Sequence, residues 1–449
     1  VLGAWGNQLT SVDLSSNTLL KNAGLSDNQL TSINVSSNTD LEELLLQNNN
    51  LSSLDISANT LLRVLRVGAN QLTSINLANN SALATLEVNS NQISTLDLTN
   101  QTQLNILNCD NNQLATIDLS NSPLLSSLRL SDNNLTSLDV SSNPLLTEIE
   151  CGGYGNQKIS SLNVSNQPDL YSLYFGGQAL TALDLSANTN LHILQIGNNS
   201  LTAIDVSQNP NLTELSVSGN QLTTLDVSNN SNLYHLTARE NLFTELDLSN
   251  NTVLTYLDCA FNALTSLDVS SNTTLATLEC GSTQITNLDL SNNLALAYLG
   301  CGDGQLTSLD LSSNTAINQL FCNNNQLTYL NMKNGITDQL SNFNATNNSL
   351  TCIETLDPAY AAGRWTAENN AIDQGVVFDV ICGAEARTNW YVSNNGSDNS
   401  GSGTVGSPLE NIQTAINATT NCDTVSVAAG MYFDNINFVI VDKQGNIFI

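Results

Sequence analysis

Twelve aspartates recur at one place in a repeated phrase: Asp13, Asp55, Asp97, Asp118, Asp139, Asp184, Asp205, Asp226, Asp247, Asp268, Asp289 and Asp310. Four further copies carry Asn34, Asn76, Asn163 and Asn331 there. A row of carboxylates suits a hard cation, so calcium binding is one chemistry open to it. The other is hydrogen bonding to nearby Ser, Thr or backbone donors, and free exchange with Asn favours that reading. Six cysteines share a second place: Cys109, Cys151, Cys259, Cys280, Cys301 and Cys322. The other copies hold apolar residues there, so these thiols read as small buried hydrophobes. Stacked parallel strands hold Cβ atoms about 4.8 Å apart, beyond the ~3.8 Å that a disulfide prefers. With no inward His and no C-x-x-C spacing, no metal site is expected. Asp258 and Glu279 occupy equivalent places in adjacent copies, about 5 Å apart, near the separation of a retaining glycosidase pair. An exposed strand, however, offers no pocket to raise one of their pKa values. His192 and His235 lie in different copies with no nucleophile in pattern. No catalytic residues and no enzyme activity are expected of this stretch.

The positions come from a repeat of 21 residues. Its first apolar residue falls at Leu9, Leu30, Leu51, Leu72, Ile93, Leu114 and Leu135, then at Ile159 and every 21 residues to Leu327. The one longer step carries an insert at "CGGYGNQK". Sixteen copies result, each made of two half-phrases of the form L-x-x-L-x-L-x-x-N. The L-x-L core has the period of a strand, and the Asn after it suits a turn. We number each copy from its first apolar residue. The recurring Asp is then position 5 and the recurring Cys position 17. Position 9 is Asn except at Gln101, Ser122, Gln167 and Gly335, where an Asn ladder would be interrupted.

The first half-phrase is nearly constant, whereas the outward positions 14 and 16 of the second vary from copy to copy. They include Arg66, Arg129, Tyr174, His235, Tyr256, Asp258, Glu279, Tyr298 and Phe321, which are the candidate ligand-binding residues. Tyr171, Tyr174 and Phe175 group near the insert bearing Tyr154, and Phe175, at position 17, reads as core. Amphipathic rings suit both sugar stacking and protein contacts.

Charged residues make up 11% of the 449-residue chain, yet the formal net charge is -30. Such an acidic chain has nothing to neutralise phosphates, which argues against nucleic acid. No apolar stretch is long enough to span a bilayer, so no membrane insertion is expected here. Val1 opens inside what reads as a repeat, so the sequence is taken as part of something longer, with any signal or anchor outside it.

The repeat resembles the leucine-rich repeat family, over roughly residues 1 to 355. More narrowly it resembles the short, Asp- and Asn-rich repeats of secreted Bacteroidetes proteins. The fold expected is a mainly β solenoid of about sixteen 21-residue coils with strands on both faces, followed by a truncated right-handed parallel β-helix. The corresponding domains are residues 1–348 for the solenoid, 349–387 for a cap and linker, and 388–449 for the β-helix start. The segment from Ser349 to Cys382 is similar to a terminal cap of the same bacterial group, which implies a Cys352–Cys382 disulfide; two free thiols are the alternative. Cys422 has no evident partner. "WYVSNNGSDNSGSGTVGSPLENIQTAI" reads as a strand, a Gly/Ser loop and a helix, with Ser407 as N-cap, Pro408 in the first turn and Glu410 completing a capping box. With "DTVSVAAGMYFDNINF" after it, read as strands broken by Gly430, it resembles the opening of a pectate-lyase-like β-helix.

The resemblance implies an extracellular, bacterial cell-surface binding or adhesion module, monomeric, that takes a protein or glycan ligand on its variable strand face. No cofactor is expected, calcium apart. The alternatives are a non-catalytic module of a secreted carbohydrate-active enzyme whose β-helix is catalytic, and a passive stalk.

Overall fold

The computed structural model describes residues 1–153, 158–382, 389–418, 424–428, 431, 440–441 and 447–448. Tyr154, Cys422 and the stretch around Gly430 lie outside the described residues. The chain divides into two compact units, Val1–Leu242 and Phe243–Ile449.

In the first unit each coil adds one short parallel strand, from Leu2–Gly3, Asn22–Gly24 and Glu43–Leu45 onward to Glu214–Ser216 and His235–Thr237. Register advances by one repeat at every step, as in Glu43↔Val64 and Leu44↔Leu65. The strands are the second half-phrase. Their middle residues, such as Leu44, Leu65 and Leu107, are fully buried, while positions 14 and 16 face outward. Leu2–Gly3 belongs to a partial turn ahead of Leu9, so the stack exceeds the sixteen copies counted in sequence.

Strand was expected on the first half-phrase as well. Among the described residues of this unit it forms none: positions 2 to 5 donate no coil-to-coil backbone bonds, and the bonds that follow close locally. The position-5 oxygen accepts the N–H of position 7: Asp55 Oδ1 from Ser57 at 3.0 Å, and Asn34 Oδ1 from Ser36 at 3.0 Å. The position-9 N–H then donates to the position-6 carbonyl, Asn59 to Ile56 at 3.0 Å. Two successive turns end the extended stretch and swing the chain toward the second half-phrase. An amide oxygen accepts as well as a carboxylate, which is why Asn replaces Asp freely. The hydrogen bond to Ser57 also holds the exposed Asp55 carboxyl below its ordinary value.

From Asn38 onward the position-9 Asn side chains are fully buried and tie each coil to the one before. Asn59 Nδ2 donates to the carbonyls of Val35 (3.0 Å) and Asn38 (2.8 Å). The expected interruptions do not break this ladder. Gln101 donates to Leu77 O at 3.0 Å, Ser122 to Gln101 O at 3.2 Å and Gln167 to Val140 O at 2.8 Å. The site needs a donor of sufficient reach, and three side chains supply one. Asn209 donates in the same way to Leu185 O and Asn188 O. Asn209→Ala removes both donations and leaves each carbonyl only the amide it already accepts, Asn188 N–H at Leu185 O and Leu191 N–H at Asn188 O, which costs about 1–2 kcal/mol. Urea denaturation reads this directly, and an unchanged midpoint would remove the ladder from the account of stability.

The second unit carries two sheets. Tyr256–Asp258, Thr277–Glu279, Tyr298–Gly300, Gln319–Phe321 and Asn342–Asn344 continue the second-half pattern. Here the first half also forms strands: Ser308–Asp310, Tyr329–Asn331, Cys352–Glu354 and Val377–Asp379. Strand on both faces is therefore met only toward this end. At the expected gap of Gly335, the neighbouring Asn334 donates to Asn314 O at 3.3 Å.

The last coils are closed by a cap. Helix Pro358–Arg364 starts at Asp357, whose carboxylate accepts from Tyr360 N. Trp365 is buried between Phe343 and Phe378, ring centroids 4.7 and 5.9 Å away. Cys352 and Cys382 form the disulfide, Cα atoms 5.7 Å apart. Beneath it Lys333 Nζ meets Glu354 Oε2 at 2.8 Å, both side chains buried, and Cys382 N–H donates to Glu354 Oε1.

Beyond the cap, Asn389–Val392 pairs in parallel with Thr424–Val427, and helix Ile412–Ala418 lies between them in sequence. Trp390, Val392, Leu409 and Ala415 pack with Val380 and Ile381. The helix starts later than expected. Its N-cap is Asn411, whose side chain accepts from Gln413 N and Thr414 N, while Ser407 closes a turn with Thr404. Asp398 takes the amides of Glu410 and Asn411, so the capping-box geometry does not form.

Candidate functional site

The two residues flanking each buried strand centre point away from the core, and position 18 follows them on the same face. In the first unit this face brings several predicted residues together. Arg129 pairs with Glu148 at 2.9 Å and with Glu150 at 3.3 Å. Next to them a cavity of about 370 Å³ is walled by Glu150, Tyr174, Gln195, Ser131 and Ser216. Its floor is made by glycines at position 18 of three successive coils, Gly152, Gly176 and Gly197, with Gly153 and Gly177 beside them. A Cβ on Gly176 would lie 3.1 Å from Gly197 O. Gly177 has φ +70, and a Cβ there would strike the Gly153 carbonyl. The backbone therefore lies open where other coils present side chains.

A second depression of about 240 Å³ shares Gln195 and Ser216 and adds Glu214, His235 and Thr237. Tyr234 donates its hydroxyl to Glu214, and Tyr171 stacks on His192 with centroids 4.3 Å apart. Arg66 lies elsewhere on the face, 3.2 Å from Glu87. Phe175 is fully buried, as its position predicts.

Carboxylates outnumber bases around the cavity. Burial holds Glu150 above the usual carboxylate range against the pull of Arg129. Burial, then the Glu214 and Glu150 charges, raise the Tyr174 phenol, which therefore stays a neutral donor. Asp110 accepts Ser131 N–H at 2.6 Å, and burial pushes its carboxyl up to about 6. Its folded-state pKa is raised, so the ionised form costs the folded state. The penalty is absent below the ordinary 3.8 and complete above about 6. Asp110→Asn keeps the acceptor oxygen and removes the charge. It should stabilise the protein at neutral pH by about 1 kcal/mol, allowing for partial exposure, with the gain gone below about pH 4. Denaturation at two pH values checks this, and equal stability of the two proteins at neutral pH would refute it.

In the second unit Tyr298 faces Phe321 at a centroid distance of 5.7 Å. Burial, then a hydrogen bond to Glu279, raise the Tyr298 hydroxyl. A Cβ on Gly300 would collide with the Glu279 carboxylate, so that glycine makes room for it. Asp258 and Glu279 are register partners, as expected, and Tyr256 pairs with Thr277. Asp258 is committed to the Ala260 amide at 3.1 Å. Each carboxylate thus serves a neighbour, which is the arrangement of a positioned surface rather than of an acid and base pair.

The six repeat cysteines are buried thiols, and burial pushes Cys280 and Cys322 up to about 12. Among the described residues no three His, Cys, Asp or Glu converge as metal ligands, and no helix is long and apolar enough to cross a membrane. The sequence reading missed the glycine floor and Glu148. The floor had a signal, since Gly follows position 17 in "CGG", "FGG" and "IGN" on consecutive copies.

No family model and no curated protein matches the chain. Solved structures do. The functional domain of InlJ from Listeria monocytogenes, which includes a cysteine ladder, is 33% identical with a TM-score of 0.70, covering 75% of this chain and 74% of that one. A leucine-rich repeat protein of Leptospira interrogans is 24% identical with a TM-score of 0.60, over 65% and 82% of the two chains. The plant peptide hormone receptor RGFR1, in complex with RGF2, shares the fold at 20% identity and a TM-score of 0.65, over 88% and 70%. With its 21-residue coils, its buried Asn ladder and its parallel sheet of second half-phrases, the chain belongs to the leucine-rich repeat proteins.

Proposed function

We propose that the chain is a binding module at the exterior of a bacterial cell, of the Bacteroidetes type, whose outward strand face takes a protein or glycan partner. One observation carries the reading. Variation is concentrated in the second half-phrase, and on the outward positions of its sheet it assembles rings, carboxylates and open backbone, while the first half-phrase repeats with little change. Such a face has no duty in folding and can be spent on recognition. A shared fold in a bacterial functional domain and in a receptor solved with its peptide supports a recognition role. Residues 388–449 are assigned to a right-handed parallel β-helix that follows the cap; parallel pairing on either side of a helix supports this. The module works as a monomer, without calcium and without catalysis.

The test is binding of the purified chain to arrays of glycans and of extracellular proteins, with and without a chelator. The variants Tyr174→Ala and Tyr256→Ala/Tyr298→Ala are run beside it. Saturable binding that is indifferent to the chelator and weakened in a variant supports the reading. Binding unaffected by either variant, or no binding on either array, overturns it.

A further inference from the structure

We infer that the glycine-floored cavity beside Tyr174 is a pyranose subsite, one that takes a neutral sugar ring through two unpaired backbone amides and an aromatic wall. The inference rests on the strand face being the binding face, and names the ligand chemistry of one place on it.

Beside the cavity the amide at position 18 can reach position 18 of the preceding coil. On two coils it meets an oxygen-bearing side chain there: Ser131 N–H donates to Asp110 Oδ1 at 2.6 Å, and Gly152 N–H donates to Ser131 Oγ at 3.2 Å, whereas Asp110 N–H turns to Asn108 Oδ1 of its own coil. The next two coils break the sequence of caps. Gly152 has no side chain to offer Gly176, and Gly176 has none to offer Gly197. Among the described residues, the N–H groups of Gly176 and Gly197 therefore donate to nothing, and both residues line the cavity. Polar backbone groups left open in a partly covered hollow favour a ligand that brings acceptors.

The surroundings define which acceptor. Glu150 walls the cavity and Glu148 and Asp110 lie close by, with Arg129 already held by Glu148 and Glu150. A free anion would meet more negative than positive charge. The ligand must accept from the two amides and also donate to Glu150 and to the Gln195 side-chain oxygen. Vicinal hydroxyls do both at once. The Tyr174 ring supplies the flat apolar surface against which the C–H face of a pyranose packs. A volume of about 370 Å³ falls at the small end of ligand sites and suits one or two rings.

Gly152→Ser/Gly176→Ser tests this without dismantling the coil. Serine already occupies position 18 at Ser131 and Ser218. Neither Gly152 nor Gly176 has positive φ, and the added Cβ atoms stand 3.3 and 3.1 Å from the next carbonyl. Each new hydroxyl caps the following amide as Ser131 does. The probes are methyl pyranosides of the common hexoses and N-acetylhexosamines, followed by saturation-transfer NMR. At least one should bind the wild type, with about tenfold weaker binding in Tyr174→Ala and in the serine pair. Tyr360→Ala, an exposed ring on the cap helix of the other unit, should leave it unchanged. No transfer to any pyranoside, or transfer that persists in both cavity variants, overturns the subsite. If array binding to a protein partner survives that result, the binding-face reading stands and only its sugar chemistry falls. Folding of the serine pair is checked by an unchanged urea midpoint. Should it shift, Tyr174→Ala decides alone.

Discussion

Lys333→Met is expected to destabilise the second unit by about 3–5 kcal/mol, one of the two largest effects of a substitution in this chain. Lys333 and Glu354 are both buried and meet at 2.8 Å. Removing the ammonium leaves Glu354 charged and unpaired, with only the Cys382 amide and the Tyr329 hydroxyl to hold it. Desolvation is what makes the loss large. A pair on the surface, such as Lys21 with Glu42, should be broken at little cost, because water screens both charges. The double variant Lys333→Met/Glu354→Leu should recover most of the loss, because no uncompensated charge remains. Urea denaturation of the three proteins checks this. A double variant as unstable as the single one would mean that the pair contributes by shape and not by charge.

The second large effect is loss of the disulfide. Cys352 and Cys382 close a loop with a sequence separation of 30, and chain entropy alone assigns such a link about 3–4 kcal/mol. Cys352→Ser/Cys382→Ser should therefore open the cap. The helix Pro358–Arg364 and the Trp365 ring between Phe343 and Phe378 depend on it. Amide hydrogen exchange over residues 358–372 should rise by orders of magnitude, while exchange in the strands of the first unit stays the same. Equal protection of the cap with and without the link would show that Trp365 packing suffices. The six buried thiols give the contrast: Cys280→Ala removes only a small core atom and should cost about 1–2 kcal/mol.

The 21-residue period, the inward Leu positions and the outward row at positions 14 and 16 were legible in the residues alone. Apolar alternation over three residues can be satisfied in one way once coils stack, so Leu44, Leu65 and Leu107 had to be core and Tyr174, Tyr256 and Tyr298 had to face outward. The cap disulfide and the core role of Phe175 followed from resemblance and position. Other features depended on contacts between coils. Both half-phrases carry the same L-x-L motif, yet only the second forms strands throughout. The Asp or Asn turn onto position 7 occurs in both cases, at Asp55 and at Asp310, so the choice is made by whether neighbouring coils lie close enough for ladder bonds, as Thr328 N–H and Thr307 O do at 2.9 Å. Gln101, Ser122 and Gln167 break the Asn pattern as letters but keep the ladder as donors, because reach to a carbonyl one coil earlier is a distance in space. The helix after Pro408 begins at Ile412 since Asp398, twelve residues upstream of Glu410, takes the amides that a capping box would use. The cavity follows the same logic. Three glycines after position 17 on consecutive copies are visible in sequence, but only stacking sets them side by side, leaves two amides open and puts Tyr174 beside them.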